Sequence, residues 1–235
     1  MKRFWQDALV VEQDGCFAVH LDGRPMRLPN GPALHLRQRA LAEAIAAEWQ
    51  QAGGAVGGEM DFSAVPLTRL AGTAEDRIAP DPVPTIAALV RYAETDALCY
   101  RVAQPEALVT RQHHAWQPWL DWAARAHGAR LVVTDRLMPV VQPPEAVSAL
   151  HAAVARFDAF PLAGLSVLVP AYGSLVLGLA VSAGRVSASD ALALSMLDEL
   201  YQEELWGADA EAVARRANIA RDVEQAARFI SLVAA

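Results

Sequence analysis

The chain has 235 residues, 27 Asp+Glu against 20 Lys+Arg, a formal charge of −7 and 54% hydrophobic content. That balance excludes disorder and coiled-coil architecture. Surface scaling predicts a folded area of roughly 10,000 Å² against roughly 36,500 Å² unfolded, enough burial for one large or two small domains. Lys2 is the only lysine, which removes phosphate-loop nucleotide binding and Schiff-base chemistry, and an acidic chain without a basic tail is a poor nucleic-acid binder.

The first residues, Met1-Lys2-Arg3-Phe4-Trp5-Gln6-Asp7, contain no apolar signal core, and the expectation is a cytoplasmic protein. A β-meander follows. Ala8–Gln13 and Cys16–Leu21 alternate around Asp14-Gly15, and Asp22-Gly23 turns into Arg24–Leu28. Asp-Gly between alternating apolar runs is a strong hairpin signal. Asn30-Gly31-Pro32 predicts a further turn before a short strand over Ala33–Leu36. Arg37–Ala52 reads as a helix with an apolar stripe of Leu41, Ala44, Ile45 and Trp49, stopped by Gly53-Gly54. The glycines of 53–58 lack the G-x-G-x-x-G spacing and follow no strand, so they punctuate the chain and cradle no phosphate. They mark the expected boundary between an N-terminal β-rich α/β domain (1–60) and a C-terminal helical domain (61–235), an α+β fold.

Beyond residue 60 helices are expected at Pro66–Arg77, Val83–Glu94, Pro105–His127, Pro144–Phe157, Ser189–Trp206 and Asp209–Val233. Ala97–Arg101 and Arg130–Thr134 read as extended pieces able to return to the N-terminal sheet. Residues 159–184 carry no charge and are long enough to span a bilayer. Pro170-Ala171-Tyr172-Gly173-Ser174 interrupts them, so a buried hairpin of helices Pro161–Val169 and Ser174–Ser182 fits better. Cys16 and Cys99 are far apart and form no C-x-x-C, which predicts two reduced thiols and no zinc site.

Familiar catalytic patterns such as H-E-x-x-H and G-x-S-x-G are absent. His113 and His114 are adjacent, so on a helix they diverge by about 100° and cannot chelate one ion together. Trp116, Trp119 and Trp122 share one side of a helix, in which Pro118 predicts a kink or a new first turn. Their spacing suits core packing; a Trp/His-lined small-molecule pocket, hence an enzyme, is the competing reading. Trp49, Trp116 and Trp206 are all expected to pack internally.

The strongest anomaly is electrostatic. Residues 186–214 hold seven acids, namely Asp190, Asp198, Glu199, Glu203, Glu204, Asp209 and Glu211, and no Lys or Arg. Helical geometry places Leu194, Met196, Leu197, Leu200, Tyr201 and Leu205 on one face and Asp198, Glu199, Gln202 and Glu203 on the other. Glu199 and Glu203 repel at i,i+4, forgoing the few tenths of a kcal/mol that a mixed-sign face gains. Either partners elsewhere in the fold or an acidic docking surface is implied.

The stretch Leu197-Asp198-Glu199-Leu200-Tyr201-Gln202-Glu203-Glu204-Leu205-Trp206-Gly207 resembles the signature of the Atp-twelve family, assembly chaperones for the alpha subunit of ATP synthase. Other blocks agree in order: Leu21-Asp22-Gly23-Arg24-Pro25, Ala47-Glu48-Trp49, Pro66-Leu67-Thr68-Arg69-Leu70-Ala71, Thr95-Asp96-Ala97-Leu98-Cys99-Tyr100-Arg101, Arg111-Gln112 with Trp116-x-Pro118, and Gly173-Ser174-Leu175. The resemblance implies a small N-terminal α/β unit, a helical C-terminal bundle, no catalysis, and no cofactor or metal. It also implies that the chain holds the unassembled alpha subunit until beta replaces it, as a bacterial relative of mitochondrial proteins. The family's critical acidic position falls on Asp198 or its neighbour Glu199. Asp198, Glu199, Glu203 and Trp206 are the implied partner-binding residues.

Overall fold

A computed structural model describes residues 1–28, 34–136, 138 and 140–234. Strands β1 (Ala8–Gln13), β2 (Cys16–Leu21) and β3 (Arg24–Pro25) form an antiparallel sheet in that order. Register pairs Gln13 with Cys16 and Ala8 with Leu21, and Asp14 and Gly15 both adopt positive φ, as a two-residue hairpin loop requires. The third strand is shorter than expected because its pairing ends at His20–Pro25. The expected turn at Asn30-Gly31-Pro32 and the start of the Ala33–Leu36 strand lie outside the described residues. Leu36 does pair with Phe17 by two backbone hydrogen bonds of 2.7 and 2.8 Å.

Helix α1 (Arg39–Gln51) covers the sheet with Leu41, Ile45 and Trp49. Arg3 is buried behind it without a carboxylate; its guanidinium donates to the carbonyls of Trp5, Gln6, Gln50 and Gly54. It thereby closes the end of α1, whose last carbonyls have no intrahelical donors. Helix α2 (Pro66–Thr73) continues into a π turn over Ala74–Ile78, so the expected Pro66–Arg77 helix is present with a changed last turn. Helices α3 (Val83–Glu94), α4 (Glu106–His127) and α5 (Pro144–Val154) follow. Helix α4 runs unbroken through Pro118, where a kink or restart was expected.

The uncharged stretch folds as the expected hairpin, α6 (Ala159–Tyr172) and α7 (Leu175–Ser182), turned by left-handed Gly173. Helix α6 passes through Pro170 and is longer than predicted. Among the described residues no helix is long and apolar enough to cross a membrane. The hairpin is the centre of the core: Leu162, Leu165, Leu168, Val176 and Leu177 have no exposed surface. Where α6 meets the last helix, α10 (Ala210–Ala234), Gly164 admits Ile230, and Phe160 stacks on Phe229 at 6.0 Å.

Two sequence expectations change here. Ala97–Cys99 is a 3₁₀ turn, and Tyr100 bridges Thr134 in parallel, so these pieces pair with each other and not with the N-terminal sheet. The single helix expected over Ser189–Trp206 is two, α8 (Ala188–Ser195) and α9 (Leu197–Trp206), broken at Met196. The indole N–H of Trp116 donates to the Leu194 carbonyl at 2.8 Å, just before the break. The molecule exposes 12701 Å², more than the roughly 10,000 Å² of a compact chain this size. Part of the surplus lies on α9 and the first half of α10, which are poorly covered.

Candidate functional site

The blocks of the resemblance meet in space as pairs. The Glu48 carboxylate accepts from the Leu67 and Thr68 backbone N–H groups at 2.7 and 3.2 Å, capping α2, while Trp49 Nε1 donates to Thr68 Oγ1 at 2.9 Å. Burial pushes the Glu48 carboxyl above the usual range against these hydrogen bonds. Asp96 does the same for α7. It is fully buried and accepts from Val176 N at 3.0 Å and Leu98 N at 3.1 Å, with Ser174 capping Leu177 beside it. Desolvation raises its carboxyl to about 6. Cys99, next to it, is buried, and its thiol is pushed up to about 12, chiefly by burial. Glu48 and Asp96 are structural; each satisfies free N–H groups at a helix start.

The third meeting point is α9. Gln112 of α4 is buried; its Oε1 accepts from Val102 N at 2.9 Å and its Nε2 donates to Asp198 Oδ1 at 2.8 Å. Arg101 donates to the Gln112 carbonyl at 2.8 Å and lies 5.2 Å from the Trp116 ring. Arg111 pairs with Glu204 at 2.7 Å and lies over Tyr201 at 5.1 Å. That ion pair holds the Glu204 carboxyl below its ordinary value. On the other side α10 supplies two arginines. Arg215 meets Glu199 at 3.0 Å, and Arg216 reaches Glu199 at 3.2 Å and both oxygens of Glu203 at 2.7 and 2.8 Å.

The expected repulsion between Glu199 and Glu203 is therefore answered from α10, seventeen and thirteen residues away from Arg216 in sequence. The side chains of Glu203 and Arg216 are 18% and 19% exposed; Arg216 Nη2 donates to both Glu203 oxygens while its Nη1 reaches Glu199, so one guanidinium bridges the two carboxylates. Among the described ion pairs none includes Asp198. Its side-chain partner is the neutral Gln112 amide, at a half-exposed position.

The apolar face expected on this helix is only partly covered. Leu197 is buried, but Leu205 is 57% and Trp206 78% exposed. Trp49 and Trp116 pack internally as expected; Trp206 does not, because α9 ends beyond the reach of the core. All four sequence-derived residues lie on α9. Asp198, Glu199 and Glu203 are engaged by their own chain, whereas Trp206 is left to solvent. The sequence reading missed Gln112, Arg215 and Arg216 as their partners; the only signal was that α10 carries the first arginines after an acidic run.

The competing reading asks for a cleft lined by both Trp and His side chains. An open cleft of about 880 Å³ is lined by Trp119, Arg185, Val186, Asp190, Leu194 and Leu197, and His113 and His114 are not among its walls. Both histidines are exposed on α4. Among the described residues no group of three or more His, Cys, Asp or Glu could hold a metal ion.

Residues 2–124 match the family described as ATP12 chaperone protein. The mitochondrial protein atp12 of Schizosaccharomyces pombe is 23% identical over 217 residues, which is 88% of this chain and 74% of that protein. The crystal structure of Atp12 from Paracoccus denitrificans is similar over 99% of this chain and 98% of its own, with 44% identity and a TM-score of 0.92. A structure from Agrobacterium tumefaciens aligns over 97% of this chain and 84% of its own, with 36% identity and a TM-score of 0.89.

Proposed function

The chain belongs to the ATP12 chaperone protein family, and on that premise we propose that it assists assembly of ATP synthase by binding the unassembled alpha subunit, without catalysis, in the bacterial cytoplasm. Isolated subunits of an obligate assembly expose large apolar interfaces and aggregate. A holding partner shields such a surface until the neighbouring subunit takes it over. The observation that carries the reading is the location of charge: residues 186–214 hold seven acids and no base, and four of the seven lie on α9, where only Leu197 is buried. Charge complementarity of this kind supplies specificity and association rate more than raw affinity.

Within that helix Asp198, held by the neutral Gln112 amide, is the carboxylate outside the described ion pairs, because Glu199 and Glu203 already face Arg215 and Arg216 and Glu204 faces Arg111. Asp198 is thus preferred over Glu199 as the critical position. The test is affinity purification of the chain from cells expressing ATP synthase subunits. A stoichiometric complex with alpha, lost on Asp198→Lys with an unchanged circular dichroism spectrum, is expected. No alpha subunit in the complex, or undiminished capture by the variant, contradicts the proposal.

A further inference from the structure

We infer that the client contact is anchored by the apolar tip of α9, Trp206 with Leu205, and that its counterpart is an apolar pocket bordered by basic side chains on the unassembled subunit. The inference rests on the alpha-subunit reading above and assigns the chemistry of its contact. Trp206 and Leu205 are 78% and 57% exposed at the end of one helix. An exposed indole next to an exposed leucine forgoes the stabilisation that burying an aliphatic or aromatic side chain brings. Helices α6 and α7, by contrast, bury most of their apolar side chains.

The geometry around the tip holds it outward. Arg216 clamps Glu203, three residues before Trp206, and Arg111 clamps Glu204 from the other side. Helix α9 is thereby fixed between α4 and α10 through its charged residues, with its terminal apolar pair left over. Val213, 43% exposed, lies almost one turn before Arg216 on α10 and so on the same side of the Gly207 turn. The rim is acidic: Asp209 and Glu211 are exposed, and neither belongs to a described ion pair. An exposed tryptophan followed three and five residues later by exposed carboxylates suits an apolar pocket edged by arginine or lysine. Interfaces concentrate their energy in such aromatic anchors, with the charged rim setting rate and orientation.

The experiment measures binding of purified alpha subunit to the full chain and to Trp206→Ala, Trp206→Phe and Leu205→Ala, with circular dichroism melts alongside. Both side chains are exposed, so the melts should coincide. We expect at least tenfold weaker binding for Trp206→Ala, a clear loss for Leu205→Ala, and most affinity retained in Trp206→Phe. Added salt should slow association for every form. Undiminished binding by Trp206→Ala, with the wild-type chain binding well, overturns the anchor and leaves the alpha-subunit reading intact. Failure of the wild-type chain to bind alpha overturns both. Self-association by sedimentation that disappears in Trp206→Ala, while alpha binding persists, assigns the tip to a second copy and also overturns the inference.

Discussion

Replacing Asp96 by asparagine probes the carboxylate that ties Thr95–Arg101 to the start of α7. The group is fully buried, and desolvation raises its pKa from 3.8 to about 6 despite hydrogen bonds from Val176 N and Leu98 N. Below pH 3.8 folded and unfolded chains both hold the proton, and its contribution to stability is complete. Between 3.8 and about 6 the folded chain holds the proton and the unfolded chain does not, so stability falls as pH rises, and above that window it is level. A gap of about two pH units at 1.36 kcal/mol each gives roughly 3 kcal/mol. Asparagine removes that dependence. It also loses one of two acceptances, leaving a buried N–H unpaired at a cost of about 1–3 kcal/mol. Urea unfolding of both chains from pH 4 to 7.5 should therefore show the variant clearly less stable at pH 4 and close to wild type at pH 7. All other titrating groups cancel in the difference. A difference that stays constant across this range would refute the reasoning, since it would mean that Asp96 ionises alike in the folded and unfolded chains.

Gly164→Ala places a Cβ 2.5 Å from Ile230 Cγ1, and about 1–3 kcal/mol of overpacking should outweigh the gain of up to about 1 kcal/mol in helix propensity; calorimetry should show a Tm lowered by a few degrees. Thr68→Val leaves the Trp49 indole N–H without its acceptor in a buried site, and denaturant unfolding should report a loss of about 1–3 kcal/mol that Thr68→Ser largely restores. Arg216→Ala leaves Glu199 and Glu203 facing each other without Arg216. A loss of about 1–3 kcal/mol, between exposed and buried pairs, should appear. Hydrogen exchange should quicken in α9 while α6 and α7 stay protected.

Most of the architecture was legible because it follows local rules. Asp14-Gly15 between alternating runs specifies a hairpin wherever it occurs. Gly173 after Tyr172 stops one apolar helix, and Ser174 caps the next, so a span that composition alone could assign to a membrane resolves into a core hairpin. What could not be read depends on partners distant in sequence. The break at Met196 carries no Gly or Pro; it coincides with Trp116 donating to the Leu194 carbonyl from 78 residues away. Glu48 and Asp96 look like ordinary polar residues until α2 and α7 arrive with unpaired N–H groups. The acidic helix was visible as an excess of charge, but its compensation was not, because Arg215 and Arg216 join it only when α10 folds back. The wheel that placed Leu205 with the core assumed a helix covered along its whole length, whereas α9 outruns its support. The residue expected to be packed, Trp206, is consequently the most exposed large hydrophobic side chain of the helix.

The most direct test of the account is light scattering from the isolated alpha subunit as it is diluted from denaturant, with and without an equimolar amount of this chain. A holding role predicts that the chain keeps the solution clear and that adding beta subunit releases it as alpha and beta assemble. Aggregation at the same rate in its presence would contradict a chaperone that holds the alpha subunit.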